Sequence, residues 1–301
     1  MTLLPLVILC VGVCASALSV VFIRETTEAP IMLAAWRVLI AGLLLLPLYY
    51  RDQRRHGSES LSAVIQRSWF PGVILGVHFI AWVVGARMTP AANANLIVNI
   101  LPVVMPFFMF AMFSERIGAR ELVATIIAIA GMLLLGASDF SISQKHFQGD
   151  LVCLFSMLLF AVYLALARRN KDVPTVWLYV VPVYLIAGVS TFIVALFFSS
   201  PFRPYTAYDL CMILALAVVS TVIGHSALNY AMQHLRGQTV SVVNMGQFVV
   251  GGIAGFLLYQ EIPRPAFYLA SALLVLAMWL VISGDDQVRR SVSDEKKGAT
   301  D

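Results

Sequence analysis

Apolar blocks follow one another along this chain, separated by short polar connections. They lie at residues 3–23, 31–50, 69–86, 93–113, 121–137, 150–167, 175–198, 210–232, 239–259 and 266–282. Each comes close to the ~20 residues that a helix needs to cross a bilayer at ~1.5 Å per residue. The pattern therefore predicts ten transmembrane helices. Only the connection at 51–68 is long, and the segment after Gly284 is charged and expected to be disordered.

The two halves repeat. Asn93 to Phe113 is followed by Ser114-Glu115 and another apolar block, and Thr239 to Tyr259 by Gln260-Glu261 and another apolar block, with no gap needed. Gly149-Asp150 opens the second unit much as the N-terminus opens the first. The units are residues 1–140 and 149–284, with a cytoplasmic tail at 285–301. Five spans is an odd number, so the second unit enters the membrane from the opposite side. The expected architecture is all-α, with two inverted five-helix repeats around a central cavity. Inverted repeats of this kind are a common transporter device, with the site near the midplane.

Composition agrees with lipid as the solvent. The chain has 301 residues, 60% hydrophobic and 12% charged, against roughly 45–50% and ~25% in soluble domains. A net charge of +4 is too small to suggest nucleic-acid binding. Its placement is more informative. With the N-terminus inside, the inner connections hold Arg51, Arg54, Arg55, Arg67, Arg116, Arg120, Arg168, Arg169, Lys171 and Arg236. The outer ones hold only Arg24, Arg87, Lys145, Arg203 and Arg264. That bias puts both termini in the cytoplasm. Ala15-Ser16-Ala17 looks like a cleavage site, but no Lys or Arg precedes Arg24, so the first block is read as a retained helix. Cys10, Cys14, Cys153 and Cys211 all fall in apolar blocks, which predicts packing roles, with no disulfide framework and no metal site.

Polar residues inside spans are costly and are the first functional candidates. No carboxylate falls mid-span, which argues against an acidic proton relay or sodium site. Glu115 and Glu261 sit at span ends, where capping or neutralising a helix terminus is the simpler reading. His78 lies mid-span with Trp82 one turn on. Thr221, His225 and Asn229 recur every four residues and share a helix face, and His225 is displaced by one position from the repeat equivalent of His78. A histidine can carry a proton or simply bond a neighbouring carbonyl. Asn95 and Asn99 stand one turn apart in the fourth span, and Ser241, Asn244 and Gln247 form a stripe in the ninth that continues as Gly251 and Gly255. Uncharged amides suit a zwitterion or a polar neutral solute, although interhelical bonding is the competing explanation. Gly251-Gly252 with Gly255 is read as close helix packing. Pro102, Pro106 and Pro182 fall inside spans and invite kinks that serve structure or gating. Trp36, Trp82, Tyr163, Trp177, Tyr179 and Tyr184 could line a pocket; Trp69, Trp177 and Tyr205 lie where an interfacial aromatic belt would be. Arg37 is the single basic residue inside a span, so a doubly charged anion would be poorly paired.

Several segments, taken in order, resemble the drug/metabolite transporter superfamily and its EamA-type ten-helix members. They are Ala34-Ala35-Trp36-Arg37-Val38-Leu39; Ala91-Ala92-Asn93-Ala94-Asn95-Leu96 with Pro102, Ser114-Glu115-Arg116 and Gly131; and Gly149-Asp150-Leu151 with Ala161-Val162-Tyr163 and Arg168-Arg169. The chain departs from the family pattern in having Cys14-Ala15-Ser16 where a tryptophan-glycine pair is common. The resemblance implies a basket of helices with the fifth and tenth outside the cavity, alternating access, export or exchange of small metabolites, and a scaffold or gate role for Arg37.

The expectation is an inner-membrane carrier of a small amphipathic metabolite, such as an amino acid, a related compound or a drug-like solute. Its site is expected at His78, Trp82, Asn95, Asn99, Tyr163, His225, Asn229, Asn244 and Gln247, with Arg37, Pro102, Pro106 and Pro182 as gate or scaffold. A passive channel stays open as an alternative. A membrane-embedded enzyme is disfavoured by the lack of HExxH, GxSxG or an intramembrane acidic pair. No cofactor is expected. The expected partners are a small-molecule substrate and the lipid bilayer, with a homodimer left open and no nucleic acid.

Overall fold

The computed structural model describes residues 3–57, 59–89, 91–139, 144–260 and 265–298. Among them the chain is helical, with short connections and no strand. The helices are α1 (Leu4–Ala17), α2 (Ser19–Glu25), α3 (Pro30–His56), α4 (Leu61–Met88), α5 (Ala91–Val98), α6 (Leu101–Phe113), α7 (Ala119–Asp139) and α8 (Gln144–Arg169). They continue as α9 (Val176–Ala195), α10 (Ala207–Ala215), a π-helical stretch (Leu216–His225), α11 (Ser226–His234), α12 (Gly237–Asn244), α13 (Gln247–Tyr259) and α14 (Pro265–Gly298). Among the described residues, nine helical stretches are long and apolar enough to cross a membrane. The 21-residue α7, packed along α14, supplies the remaining expected span. The backbone of α14 carries on helically to Gly298, where a disordered tail is expected. Glu261 lies outside the described residues.

The repeat is visible at single-residue level. A shift of 146 residues takes Asn93 to Thr239. The same shift takes α5 (Ala91–Val98) onto α12 (Gly237–Asn244) and α6 (Leu101–Phe113) onto α13 (Gln247–Tyr259), end for end. Both the fourth and the ninth spans are thus broken in the middle, at 99–100 and at 245–246. Both also end on a left-handed residue, Ser114 at φ 54° and Gln260 at φ 57°.

Different residues cause the two breaks. In the fourth span Pro102 has no N–H to give the Val98 carbonyl, so the helix must restart, and Pro102 stands in the first turn of α6. The expected kink around Pro102 is therefore a break just before it. In the ninth span, which lacks a proline, the break falls at Met245-Gly246, and a glycine weakens a helix interior by ~1 kcal/mol. The break also corrects the expected polar stripe. Asn244 ends α12 and Gln247 begins α13, so Ser241, Asn244 and Gln247 do not share one continuous helix face.

Close packing surrounds this frame. α9 lies against both α3 and α4, and α4 against α8. A Cβ on Gly188 of α9 would stand 2.7 Å from Leu39 Cα, so these backbones nearly touch. Gly252 receives the ring of Phe267 from α14, as close packing requires, whereas Gly251 has nothing within 4 Å and plays no such part. Phe79, Tyr163, Tyr179 and Tyr184 are fully buried in the central core. Tyr179 and Tyr184 thus fill the core, while Trp36 packs edge-on against Phe192 and donates to Tyr205 Oη at 3.1 Å.

Each end of the bundle is tied. On one face Arg87 donates to the carbonyls of Ile23 (3.0 Å) and Thr26 (2.9 Å), and Arg24 to that of Thr89 (3.3 Å). Beside them, Arg203 meets the buried Glu28 at 3.4 Å. Burial pushes the Arg203 guanidinium down, but the Glu28 charge and its bonds to Tyr205 and Glu28 outweigh this and hold it above its ordinary value. On the opposite face Arg168 donates to the carbonyls of Leu235 (2.7 Å) and Met232 (3.1 Å). Glu115 bridges Arg168 (3.5 Å) and Arg236 (3.2 Å), so it links three spans, more than the simple helix cap expected of it. Pro106 lies beside this cluster. Arg168→Ala would strand two buried carbonyls and is expected to cost about 1–3 kcal/mol. A lower midpoint of thermal unfolding in detergent would register the loss.

Candidate functional site

Between the broken fourth and ninth spans lies a narrow cleft with a cavity volume of about 30 Å³. Six expected site residues line it: His78, Trp82, Asn95, Asn99, His225 and Gln247. They arrive from α4, from α5 and the break that follows it, from the π-helical stretch and from the start of α13. Ser16, Ser19, Val20, Val98, Phe160 and Leu228 complete the wall. Among the described residues neither α7 nor α14 contributes to it, in line with the fifth and tenth helices standing outside.

Three expected site residues stand behind this wall. Tyr163 and Asn229 are fully buried and bonded to each other at 2.7 Å, and Asn229 also donates to the His225 carbonyl at 2.6 Å. They brace His225 and do not line the cleft. Asn244, also fully buried, accepts from Gln247 Nε2 and thereby orients it. Of the expected pocket aromatics, Trp82 alone is among the described residues that line this cleft. Pro182 is buried inside α9, away from the lining.

The expected shared face of Thr221, His225 and Asn229 also changes. The π-helical turn over Leu216–His225 is wider than 3.6 residues, so Thr221 and His225 no longer stack, while Asn229 follows His225 by one regular turn in α11. Thr221 turns to Arg37, His225 to the cleft and Asn229 to Tyr163. Short π segments inside α-helices often mark functional sites.

Histidine geometry is specific. His78 Nδ1 lies 2.9 Å from both the carbonyl and the hydroxyl of Ser156, and its ring stacks on Phe160 at 4.9 Å between centroids. The His78 and His225 rings are 6.2 Å apart, separated partly by Phe79 and Phe160, and do not bond directly. His225 Nδ1, Asn99 Oδ1 and Ser16 Oγ are buried without a partner among the described residues. Unpaired buried polar atoms are costly, and a cleft that concentrates them is suited to a polar ligand. Among the described residues no carboxylate lines the cleft. Arg37 lies one layer behind it, fully buried, with Nε donating to Thr221 Oγ1 at 3.1 Å and Nη1 to Ser19 Oγ at 3.4 Å.

Sequence reasoning missed Ser16, Ser19 and Phe160. The serines were hidden because short hydroxyl side chains are ordinary in membrane helices, where they satisfy the backbone of their own helix. Ser19 became visible only through its partners, Arg37 and Trp82.

Two inverted helical repeats around an internal polar cleft define a multi-pass membrane transporter. The comparisons agree. The EamA-like transporter family model matches residues 3–137 and again 147–283, so this chain belongs to that family. It is 26% identical over 291 residues to the inner membrane protein YtfF of Escherichia coli K12, covering 85% of this chain and 87% of the relative. It is 24% identical over 273 residues to an uncharacterized transporter of Archaeoglobus fulgidus, covering 88% and 81%. A solved crystal structure superposes with a TM-score of 0.75 at 16% identity, covering 94% of this chain and 97% of the other, which speaks for the fold alone.

Proposed function

We propose that this protein is an inner-membrane carrier that exports or exchanges a small amphipathic metabolite by alternating access, with both termini in the cytoplasm. One observation carries the reading: the fourth and ninth spans break at equivalent positions, and residues flanking both breaks, Asn99 and Gln247, face one cleft. Discontinuous spans at a repeat interface are where carriers bind solutes near the midplane. The half-helices α6 and α13 can tilt about the breaks. The ties at Arg168–Leu235 and at Arg87–Ile23 hold opposite ends of the bundle and would open in turn. The wall mixes amides, imidazoles and hydroxyls with Trp82, Phe160 and Leu228. That mixture supports a solute with a polar head and an apolar body. The relationship to YtfF and the inward bias of basic residues support the membrane and orientation.

The test is counterflow in liposomes loaded with a mixed metabolite set. A carrier gives saturable efflux of a few compounds, accelerated when the same compound is present outside. Flux that rises linearly with concentration and ignores the outer solution would indicate a pore and overturn the reading.

A further inference from the structure

Arg37 is the least satisfied charged group in the core. Guanidinium carries five N–H donors in a rigid fork. Nε has a good acceptor in Thr221 at 3.1 Å, Nη1 reaches Ser19 Oγ only at 3.4 Å, and Nη2 has no partner among the described residues. Phe79 covers one face of the fork at 4.1 Å. No carboxylate among the described residues pairs with this fully buried cation. Burying a charge without a counter-ion costs several kcal/mol in general, and a ligand anion would offset it.

Ser19 connects Arg37 to the cleft that it lines. Its hydroxyl accepts from Arg37 Nη1 and, also at 3.4 Å, from Trp82 Nε1. A serine oxygen has two acceptor sites and one proton to give. With both acceptor sites occupied by N–H groups, its remaining capacity is to donate, in the field of a cation. This end of the cleft therefore presents donors and positive potential. The other end has the opposite character. The C-terminus of α5, with its negative dipole end, meets the cleft at Val98. Beside it Asn99 donates its Nδ2 to the Asn95 carbonyl at 2.8 Å, leaving a buried, unpartnered Oδ1 as an acceptor.

We propose that Arg37, through Ser19 and Trp82, forms a carboxylate subsite, and that the carried solutes are zwitterions with one carboxylate, whose ammonium lies at Asn99 and the end of α5. This rests on the carrier reading above and assigns its substrate class. A single guanidinium behind the wall, with no lysine or arginine among the described residues that line it, selects against dicarboxylates and phosphates.

The experiment uses the full-length protein in liposomes loaded with amino acids together with their C-terminal amides, with efflux followed by mass spectrometry. The acids are expected to leave about tenfold or more faster than the matching amides, the scale of one lost charge-assisted hydrogen bond. Ser19→Ala and Arg37→Gln are expected to erase that acid-over-amide ratio, with Arg37→Lys partly restoring it. If Arg37→Gln does not fold, Ser19→Ala and Trp82→Phe still read the ratio. Equal efflux of acids and amides by the native protein, or a ratio untouched by Ser19→Ala, overturns the subsite while leaving the carrier intact. So does saturable counterflow confined to compounds without a carboxylate. If no metabolite shows saturable flux, the carrier reading fails first and the subsite with it.

Discussion

Gly188→Leu is expected to abolish the folded transporter. The glycine lies in α9, and a Cβ placed there would meet Leu39 Cα at 2.7 Å and Leu39 N at 2.9 Å. These are backbone atoms of a 27-residue helix, which cannot rotate aside as a side chain could. Even Gly188→Ala forces α3 and α9 apart, and overpacking of a close interface costs about 1–3 kcal/mol. Leucine adds three more carbons at the same point and would exceed that. The damage spreads because α9 also packs along α4, which carries His78 and Trp82 into the cleft. The measurement is the monodisperse fraction in size-exclusion chromatography in mild detergent, with the melting midpoint of whatever survives. A Gly188→Leu protein that is monodisperse and melts like the native chain would show that α3 and α9 approach each other less closely than 2.7 Å from Cβ to Cα implies. Gly251→Leu is the control, since nothing lies within 4 Å of that position, and it should fold.

The architecture was readable from the sequence because lipid imposes a simple rule. Each crossing needs one apolar block, and a hydrophobic repeat shows without any knowledge of side-chain contacts. The relation between Asn93–Phe113 and Thr239–Tyr259 extends to the backbone because the half-helix lengths, the breaks and the left-handed ends all repeat. What the sequence did not disclose depends on local backbone geometry. The stripe at Ser241, Asn244 and Gln247 assumed one unbroken helix. The face shared by Thr221, His225 and Asn229 assumed 3.6 residues per turn. A break at Gly246 and a π-helical stretch void both assumptions, and neither glycine nor valine-rich sequence announces such a change.

The same limit shaped the site. Intramembrane polar residues could be found by their cost in lipid, which brought His78, Asn95, Asn99, His225 and Gln247 to attention. Cost cannot say which of two buried polar residues faces a ligand and which faces its neighbour. Tyr163 and Asn229 bond each other behind the wall and brace it, and although the Oδ1 atoms of Asn229 and Asn99 are both unpartnered among the described residues, only Asn99 lines the cleft. That distinction is one of placement and appears only when the helices are assembled.

Pairing also ranks the amide substitutions. Asn99→Ala is expected to lower transport about ten- to hundredfold, the loss of a bond to a charged group. Its Oδ1 is unpartnered among the described residues, so its removal leaves no buried group stranded apart from the Asn95 carbonyl, which still accepts from the Asn99 backbone N–H at 3.2 Å. Melting should therefore change little while flux collapses. Asn244→Ala acts differently. Asn244 Oδ1 holds Gln247 Nε2, so its removal frees a cleft residue to reorient, raising KM more than it lowers the maximal rate. His78→Ala opens space next to Phe160 and removes the imidazole bond to Ser156, whose hydroxyl keeps only the backbone carbonyl of residue 78 at 3.2 Å, so stability and flux should both decline. The checks are initial rates of counterflow and melting midpoints for the three single variants. Native rates in Asn99→Ala would remove Asn99 from the substrate path. A parallel loss of stability and flux would instead make it a structural residue of the break, because only a ligand contact separates the two readouts.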